Sequence, residues 1–246
     1  MKTFLYDGSF DGLLTALYHA LADGNPENTI QQKTQHQPDL FSQSVSIATD
    51  FNLTQRMYQG ITRRISRQTL RNLYHLYLSE IPEAGTLSYH YLQKGFGVGS
   101  NLNQRLTDPV VHPVLKKCRQ VLREYHRMTG LLRFQSLQNG TLYAAYAPDA
   151  QLTPLLAGHF SRRLSGQPWI IHDHKREMAA FWDTKEWILH PLPAEGELQL
   201  SDAEAYFQEL WRRYFNQIAI QERKNLKLQQ QFVPKKYRQY LTEFDE

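Results

Sequence analysis

The 246-residue chain has a single cysteine, Cys118. That excludes an internal disulfide framework, and with it an iron–sulfur cluster or zinc centre held by several thiolates of this chain. Cys118 falls among apolar residues at helical spacing and reads as a small packed side chain. Long apolar runs are missing too: no window approaches the ~18–20 residues a membrane-spanning helix needs. The opening MKTFLYDGSF has one lysine, then Asp7, and no unbroken apolar stretch, which is not the pattern of a signal peptide. A cytoplasmic location without membrane contact is the expectation. Gly95, Gly97 and Gly99 do not make a dinucleotide fingerprint, and no phosphate-binding Walker loop or GxSxG elbow is present. No motif calls for a cofactor, and no repeat of fixed period divides the chain.

What is present is an ordinary apolar content with a mild basic excess. Hydrophobic residues make up 41% and aromatics 12%, enough for a core. Lysine and arginine number 28 against 24 acids, and the +4 net charge permits nucleic-acid binding without requiring it. Arrangement therefore carries more information than the total.

The periodicities predict an α+β fold in a single domain over residues 1–246. Thr3–Tyr6 and Ser44–Thr49 read as strands, with a helix from Phe10 to Leu21 and a polar, mobile loop over about 23–43. Residues 52–78 read as helix broken near Ser66, which can cap the second piece. A helix over 84–94 leads into a glycine loop at 95–99. Asp108-Pro109 opens the next helix, whose stripe is Val111, Leu115, Cys118, Leu122 and Tyr125. Asn139-Gly140 between two alternating runs predicts a hairpin, and Trp169–His174 with Met178–Trp182 a second one, extended by Ile188-Leu189. Thr153-Pro154 opens a short helix between the hairpins. Ser201 and Glu204 form a capping-box pattern. A long C-terminal helical segment follows, over about 201–240, with Tyr206, Leu210, Tyr214 and Ile218 on one stripe and Trp211 and Phe215 widening it. The sum is a mixed or antiparallel sheet, built from two hairpins plus the N-terminal strands and packed by helices.

Four groups of polar residues stand out. His126 and Arg127 close a helix, where the dipole favours cations. His159 shares a face with Leu152, Leu155 and Leu156, beside Arg162 and Arg163, whose guanidinium forks suit phosphate. In a strand, His172 and His174 point one way and Asp173 the other, followed by Lys175 and Arg176. Such a pair could supply two legs of a zinc or iron site, but no spacing marks a third ligand, no metal is assigned, and Asp173, Lys175 and Arg176 read first as a polar turn at the strand end. The fourth group is diffuse. Arg56, Arg63, Arg64, Arg67 and Arg71 occupy a stretch free of acids; Lys116, Arg119 and Arg123 follow, and basic residues gather from Arg223 to Arg238. Such surfaces track a phosphate backbone by counterion release.

Several of these stretches together resemble one family: Tyr6 to Leu14 (YDGSFDGLL), Glu124-Tyr-His-Arg with Gly130-Leu-Leu-Arg-Phe134, Leu142-Tyr-Ala with Pro148-Asp149, His159-Phe with Arg162-Arg163, and Trp169-Ile-Ile-His-Asp with Lys175-Arg176. The family is a bacterial domain of unknown function described as a DNA metabolism protein. The resemblance runs from Tyr6 to about Tyr240. Members of that family resemble partners of a radical-SAM protein of DNA modification or repair, and some look fused to a uracil-DNA-glycosylase-like domain. The resemblance implies a DNA-linked context and brings no catalytic activity. Radical chemistry would belong to the partner, and glycosylase chemistry to the extension.

Three functions follow as expectations. The first is a DNA-binding accessory factor for a radical-SAM repair or modification enzyme, with Arg127, Arg133, Arg162, Arg163, Lys175 and Arg176 on phosphates. The second is an enzyme acting on nucleic acid or a nucleotide, with His126, His159 and Asp173 as acid–base residues in one pocket. The third is a protein–protein adaptor that docks through the aromatic C-terminal helix.

Overall fold

The structure, a computed structural model, describes residues 1–37, 43–194, 196, 198–218 and 225–244. The chain divides into two compact units, residues 1–122 and 123–246, each with its own sheet. The fold class is α+β as the pattern implies, but the N-terminal strands do not join the hairpins.

In the first unit, β1 (Lys2–Tyr6) leads into α1 (Phe10–Asp23), which is capped by the Ser9 hydroxyl accepting from the Gly12 amide and ends on left-handed Gly24. β2 (Thr29–Gln32) and β3 (Gln43–Ser46) flank β1, both parallel to it. The polar composition of residues 23–43 predicts a loop throughout. Part of that segment is instead β2, which has one apolar residue, Ile30, and takes its order from pairing with β1. Residues 38–42 of the expected loop lie outside the described residues. Asp7 ties the strand ends together, accepting from the Ser9 amide and from the hydroxyls of Ser9 and Thr49.

Helices α2 (Phe51–Arg64) and α3 (Arg67–Leu78) meet at Ser66, whose hydroxyl accepts from the Thr69 amide. The break falls where the change of apolar register puts it. α4 (Ala84–Val98) absorbs two of the three glycines expected to form a loop. Gly95 is there for packing: a Cβ would stand 2.8 Å from Ile65 and 2.9 Å from Leu102 side-chain carbons. α5 (Val111–Leu131) begins under Asp108, whose carboxylate accepts from the Val110 and Val111 amides. Its buried stripe is Val111, Val114, Cys118, Val121 and Met128. Leu122, expected inside, is 40% exposed. Cys118 is packed as expected and its thiol donates to the Asn72 carbonyl at 3.2 Å.

Two glycines of this unit give opposite predictions. At Gly85 a Cβ would lie 2.4 Å from the Ile30 carbonyl oxygen, because α4 rests directly on the backbone of β2. Gly60, inside α2, has nothing within 4 Å of that position. Gly85→Ala is expected to destabilise by ~1–3 kcal/mol through overpacking, and Gly60→Ala to stabilise by ~0.5–1 kcal/mol. Thermal melts followed by far-UV circular dichroism check both signs.

The second unit carries a five-stranded mixed sheet in the order β4-β5-β6-β7-β8. β4 (Gln135–Ser136) pairs antiparallel with β5 (Leu142–Tyr146) across Asn139-Gly140, with Gly140 at φ +79°. α6 (Thr153–Arg163) then crosses over, so that β6 (Trp169–Asp173) runs parallel to β5. β7 (Met178–Trp182) and β8 (Trp187–Pro191) continue antiparallel. The expected second hairpin and its extension are both present.

The C-terminal segment is not one long helix. It forms α7 (Glu204–Ile218), α8 (Leu226–Phe232) and α9 (Lys235–Arg238), and residues 219–224 lie outside the described residues. The expected capping box is not the hydrogen bonding observed. The Glu204 carboxylate accepts from the Ser136 amide at 2.7 Å and from the Gln208 amide, while the Ser201 N–H donates to the Ser136 carbonyl. The predicted apolar stripe of α7 faces outward: Tyr206, Tyr214 and Ile218 are 63%, 56% and 58% exposed.

Candidate functional site

In the first unit the corner between α2 and α3 concentrates positive charge. Arg56, Gly60, Arg63 and Arg64 recur at i, i+4, i+7 and i+8 on one face of α2, and Arg67 and Arg71 repeat the i, i+4 spacing on α3. All five arginines are exposed, and no acid stands between Asp50 and Glu80. Arg56 lies over the Tyr18 ring and Arg64 over the Phe96 ring, each 5.3 Å from the centroid. None of the five makes an ion pair among the described residues. Phe51 and Tyr58, one above the other on α2, are 73% and 48% exposed. Exposed rings beside unpaired guanidiniums are the ingredients of a phosphate-tracking, base-stacking surface.

In the second unit two of the six expected phosphate grips, Arg133 and Arg176, are held by carboxylates, while Arg162, Arg163 and Lys175 are exposed. Arg133 makes a bidentate pair with Glu243, Nε and Nη2 each reaching one carboxylate oxygen, and lies over the Trp211 ring at 5.4 Å. Arg176 donates to the Asp173 carboxylate at 2.7 Å and to the Asp149 carbonyl at 2.7 Å. Lys175 donates to that same carbonyl at 3.1 Å. Arg127 reaches the Gln231 carbonyl at 3.4 Å. Arg162 and Arg163, at the end of α6, are exposed without an ion pair among the described residues. Of the C-terminal basic residues, Arg223 and Lys224 lie outside the described residues, and Lys236 is paired with Asp149.

The three acid–base candidates are in different surroundings. His126 is exposed at the end of α5. His159 packs edge-on to Tyr125 and Phe160; its Nε2 is buried without a partner, and burial together with Arg163 and Arg162 pushes its pKa down. Asp173 is fully buried, and desolvation raises its pKa against the opposing pull of Arg176. No hydrogen bond, ion pair or ring contact among the described residues joins any two of the three.

His172 and His174 do share a face of β6 and its end, as the strand period implies, and Tyr143, which is not among the polar groups singled out in the sequence, joins them. The Tyr143 hydroxyl lies 2.7 Å from His172 Nδ1 and 3.1 Å from His174 Nε2. His172 Nε2 is 2.9 Å from the Leu192 carbonyl, which only accepts, so that nitrogen carries a proton. Burial lowers the pKa of both histidines and pushes Tyr143 up to about 12. Neutral His172 therefore accepts at Nδ1 from the Tyr143 hydroxyl. Having given away its one proton, Tyr143 accepts from the Nε2–H of His174. Sequence reasoning misses Tyr143 because β5 meets β6 only through the α6 crossover, a pairing with no local signal. Among the described residues no three His, Cys, Asp or Glu side chains group as metal ligands, and no helix is long and apolar enough to cross a membrane.

A family model described as a domain of unknown function, DUF4130, matches residues 82–243, well over half of the chain. No curated protein matches the chain.

Proposed function

The chain belongs to the DUF4130 family, a domain of unknown function, and from that premise we propose that it is a DNA-binding accessory protein. The observation that carries the reading is the acid-free pair of helices α2 and α3, with five exposed arginines that no carboxylate among the described residues neutralises. Like charges so gathered repel one another, and a polyanion relieves that repulsion. The exposed Phe51 and Tyr58 on the same helix suit unpaired bases, so single-stranded or distorted DNA is the expected form. The resemblance noted above supplies the context, in which the protein holds DNA for a radical-SAM repair or modification enzyme. The arginine surface supports the DNA part of that statement.

Fluorescence anisotropy with labelled single-stranded and duplex oligonucleotides tests the reading. If all five arginines meet phosphates, the slope of log affinity against log salt is about −3.5 on a single strand, and affinity falls ~100-fold between 50 and 200 mM salt. No binding at ~50 mM salt, where phosphate contacts are strong, overturns it.

A second reading is favoured by α7. Tyr206, Phe207, Trp211 and Tyr214 are 63%, 59%, 39% and 56% exposed, an apolar helix face of the kind that docks on a partner protein. In the DNA-linked context the radical-SAM protein would be that partner. Pull-down of that enzyme by the intact chain, and its loss with Tyr206→Ala and Tyr214→Ala, is the expected result for an adaptor.

A further inference from the structure

Beside the Tyr143–His174 contact, the second unit has a half-open cavity of about 250 Å³. Its wall includes Gln135, Tyr143, His174, Gln239 and Tyr240, with Arg133 at one side. Three properties of this cavity restrict its occupant. The first is size, since ~300–1,000 Å³ is usual for sites that take drug-sized ligands; this one admits a single small ring system. The second is charge. Among the described residues Arg133 is the charged residue of the wall, and its guanidinium is held by both Glu243 oxygens and by the Gly130 carbonyl. The described wall therefore leaves no free charge to pair with an ionic occupant, which favours an uncharged one.

The third property is the pattern of hydrogen-bonding groups. The relay from His174 Nε2–H to the Tyr143 hydroxyl to His172 Nδ1 sets the tautomer of His174, so that its Nδ1 carries the lone pair. That nitrogen has no partner among the described residues. The Gln135 side-chain amide, also unpartnered among them, offers a donor and an acceptor. Tyr240 stands edge-on to His174 with the ring centroids 5.7 Å apart, and its ring supplies an aromatic wall.

We infer that this cavity binds an uncharged, planar nitrogen heterocycle of the nucleobase class, through a ring N–H given to His174 Nδ1 and a second polar edge given to Gln135. His174 and Gln135 are the contacting residues, and Tyr143 is a positioning residue that fixes which nitrogen of His174 accepts. The inference does not rest on the arginine surface of the first unit. The heterocycle can arrive free or as part of a strand, and the two sources are separable by experiment.

The test is heteronuclear NMR of the intact, histidine-labelled protein. One arm titrates free adenine, cytosine and uracil to ~10 mM, where even a millimolar affinity registers; the other titrates a short mixed-sequence single strand. The expected result is movement of the His174 ring nitrogens in at least one arm. That movement should be weakened ~10-fold in Gln135→Ala, about one hydrogen bond's worth of affinity. Tyr143→Phe should give a mixture of His174 tautomers in the unliganded protein, a signature that loss of packing alone does not produce. Silence at His174 in both arms of the wild-type protein overturns the inference, and so does a response that Gln135→Ala leaves unchanged. Replacing the α2 and α3 arginines should leave the free-base arm intact, so failure of the DNA reading and failure of this one are distinguishable.

Discussion

Glu124→Ala is expected to destabilise the second unit by roughly 3–5 kcal/mol, because three donors are deprived of their acceptor together. Oε1 accepts from the Asp149 amide at 2.8 Å and from the Tyr237 hydroxyl, and Oε2 accepts from the Ala150 amide at 3.0 Å. Lys236 adds its ammonium 3.9 Å from Oε1. Glu124, Ala150 and Tyr237 are all buried, so water cannot replace the missing acceptor. The one carboxylate thus joins α5 to the loop after β5 and to α9. Burial, then Glu124 itself, pushes the Tyr237 hydroxyl well above its ordinary pKa, so it remains a donor throughout the working range. Tyr237→Phe removes one donor and should cost only ~1–2 kcal/mol. All four tryptophans, Trp169, Trp182, Trp187 and Trp211, belong to the second unit. Urea unfolding followed by tryptophan fluorescence therefore reads the change there. A Glu124→Ala midpoint equal to the wild type would contradict the assignment.

Arg176→Met should cost about 3–5 kcal/mol at pH 7, since it strands a buried carboxylate. Asp173 has no exposed surface, and Arg176 is its charged partner at 2.7 Å; the Lys175 amide, at 3.1 Å, is a neutral one. Desolvation already holds the Asp173 pKa above 3.8 with Arg176 in place. For a carboxylate with a raised folded pKa, the stabilising state is the protonated one. Its contribution is full below the unfolded pKa and is lost as pH rises through the folded value. Removing Arg176 raises that value further. The deficit of Arg176→Met should therefore be largest near neutrality and shrink as pH falls toward ~4. Adding Asp173→Asn to Arg176→Met should recover most of the loss at pH 7, because a neutral amide needs no counter-charge. Denaturation midpoints of the single and double variants across pH check the sign, and a deficit that grows on acidification would contradict it.

Local signals in the sequence are sufficient where the structure is local. Ser66 marks the helix break because capping is a matter of three residues, and Asn139-Gly140 marks the hairpin because the turn needs a left-handed glycine. What distant partners decide leaves no such signal. β2 has a single apolar residue and exists because β1 offers it an edge. Gly95 and Gly97 have the composition of a loop, yet Gly95 is small so that Ile65 and Leu102 can fill its place. Glu204 carries a capping-box spacing but serves Ser136, 68 residues away.

The candidate sites divide in the same way. The acid-free run from Phe51 to Ser79 is visible as composition, and its arginines are exposed as such a run suggests. Arg133 and Arg176 look equally available in the sequence, but Glu243 and Asp173 hold them. Arg176 has its acid three residues away, whereas the Arg133 partner lies 110 residues on, and only the fold brings the two together. His172 and His174 are legible as a pair from the strand period. Tyr143, which joins them, is not, because the crossover that aligns β5 with β6 leaves no trace at either residue.

The most direct test of the DNA-binding account is the salt slope of single-stranded DNA affinity, measured for the wild type and for a variant with Arg63, Arg64, Arg67 and Arg71 all changed to glutamine. The account predicts an intact fold and a slope shallower by about 2.8, from ~0.7 counterions released at each of the phosphates the variant no longer neutralises. An unchanged slope with unchanged affinity would contradict it.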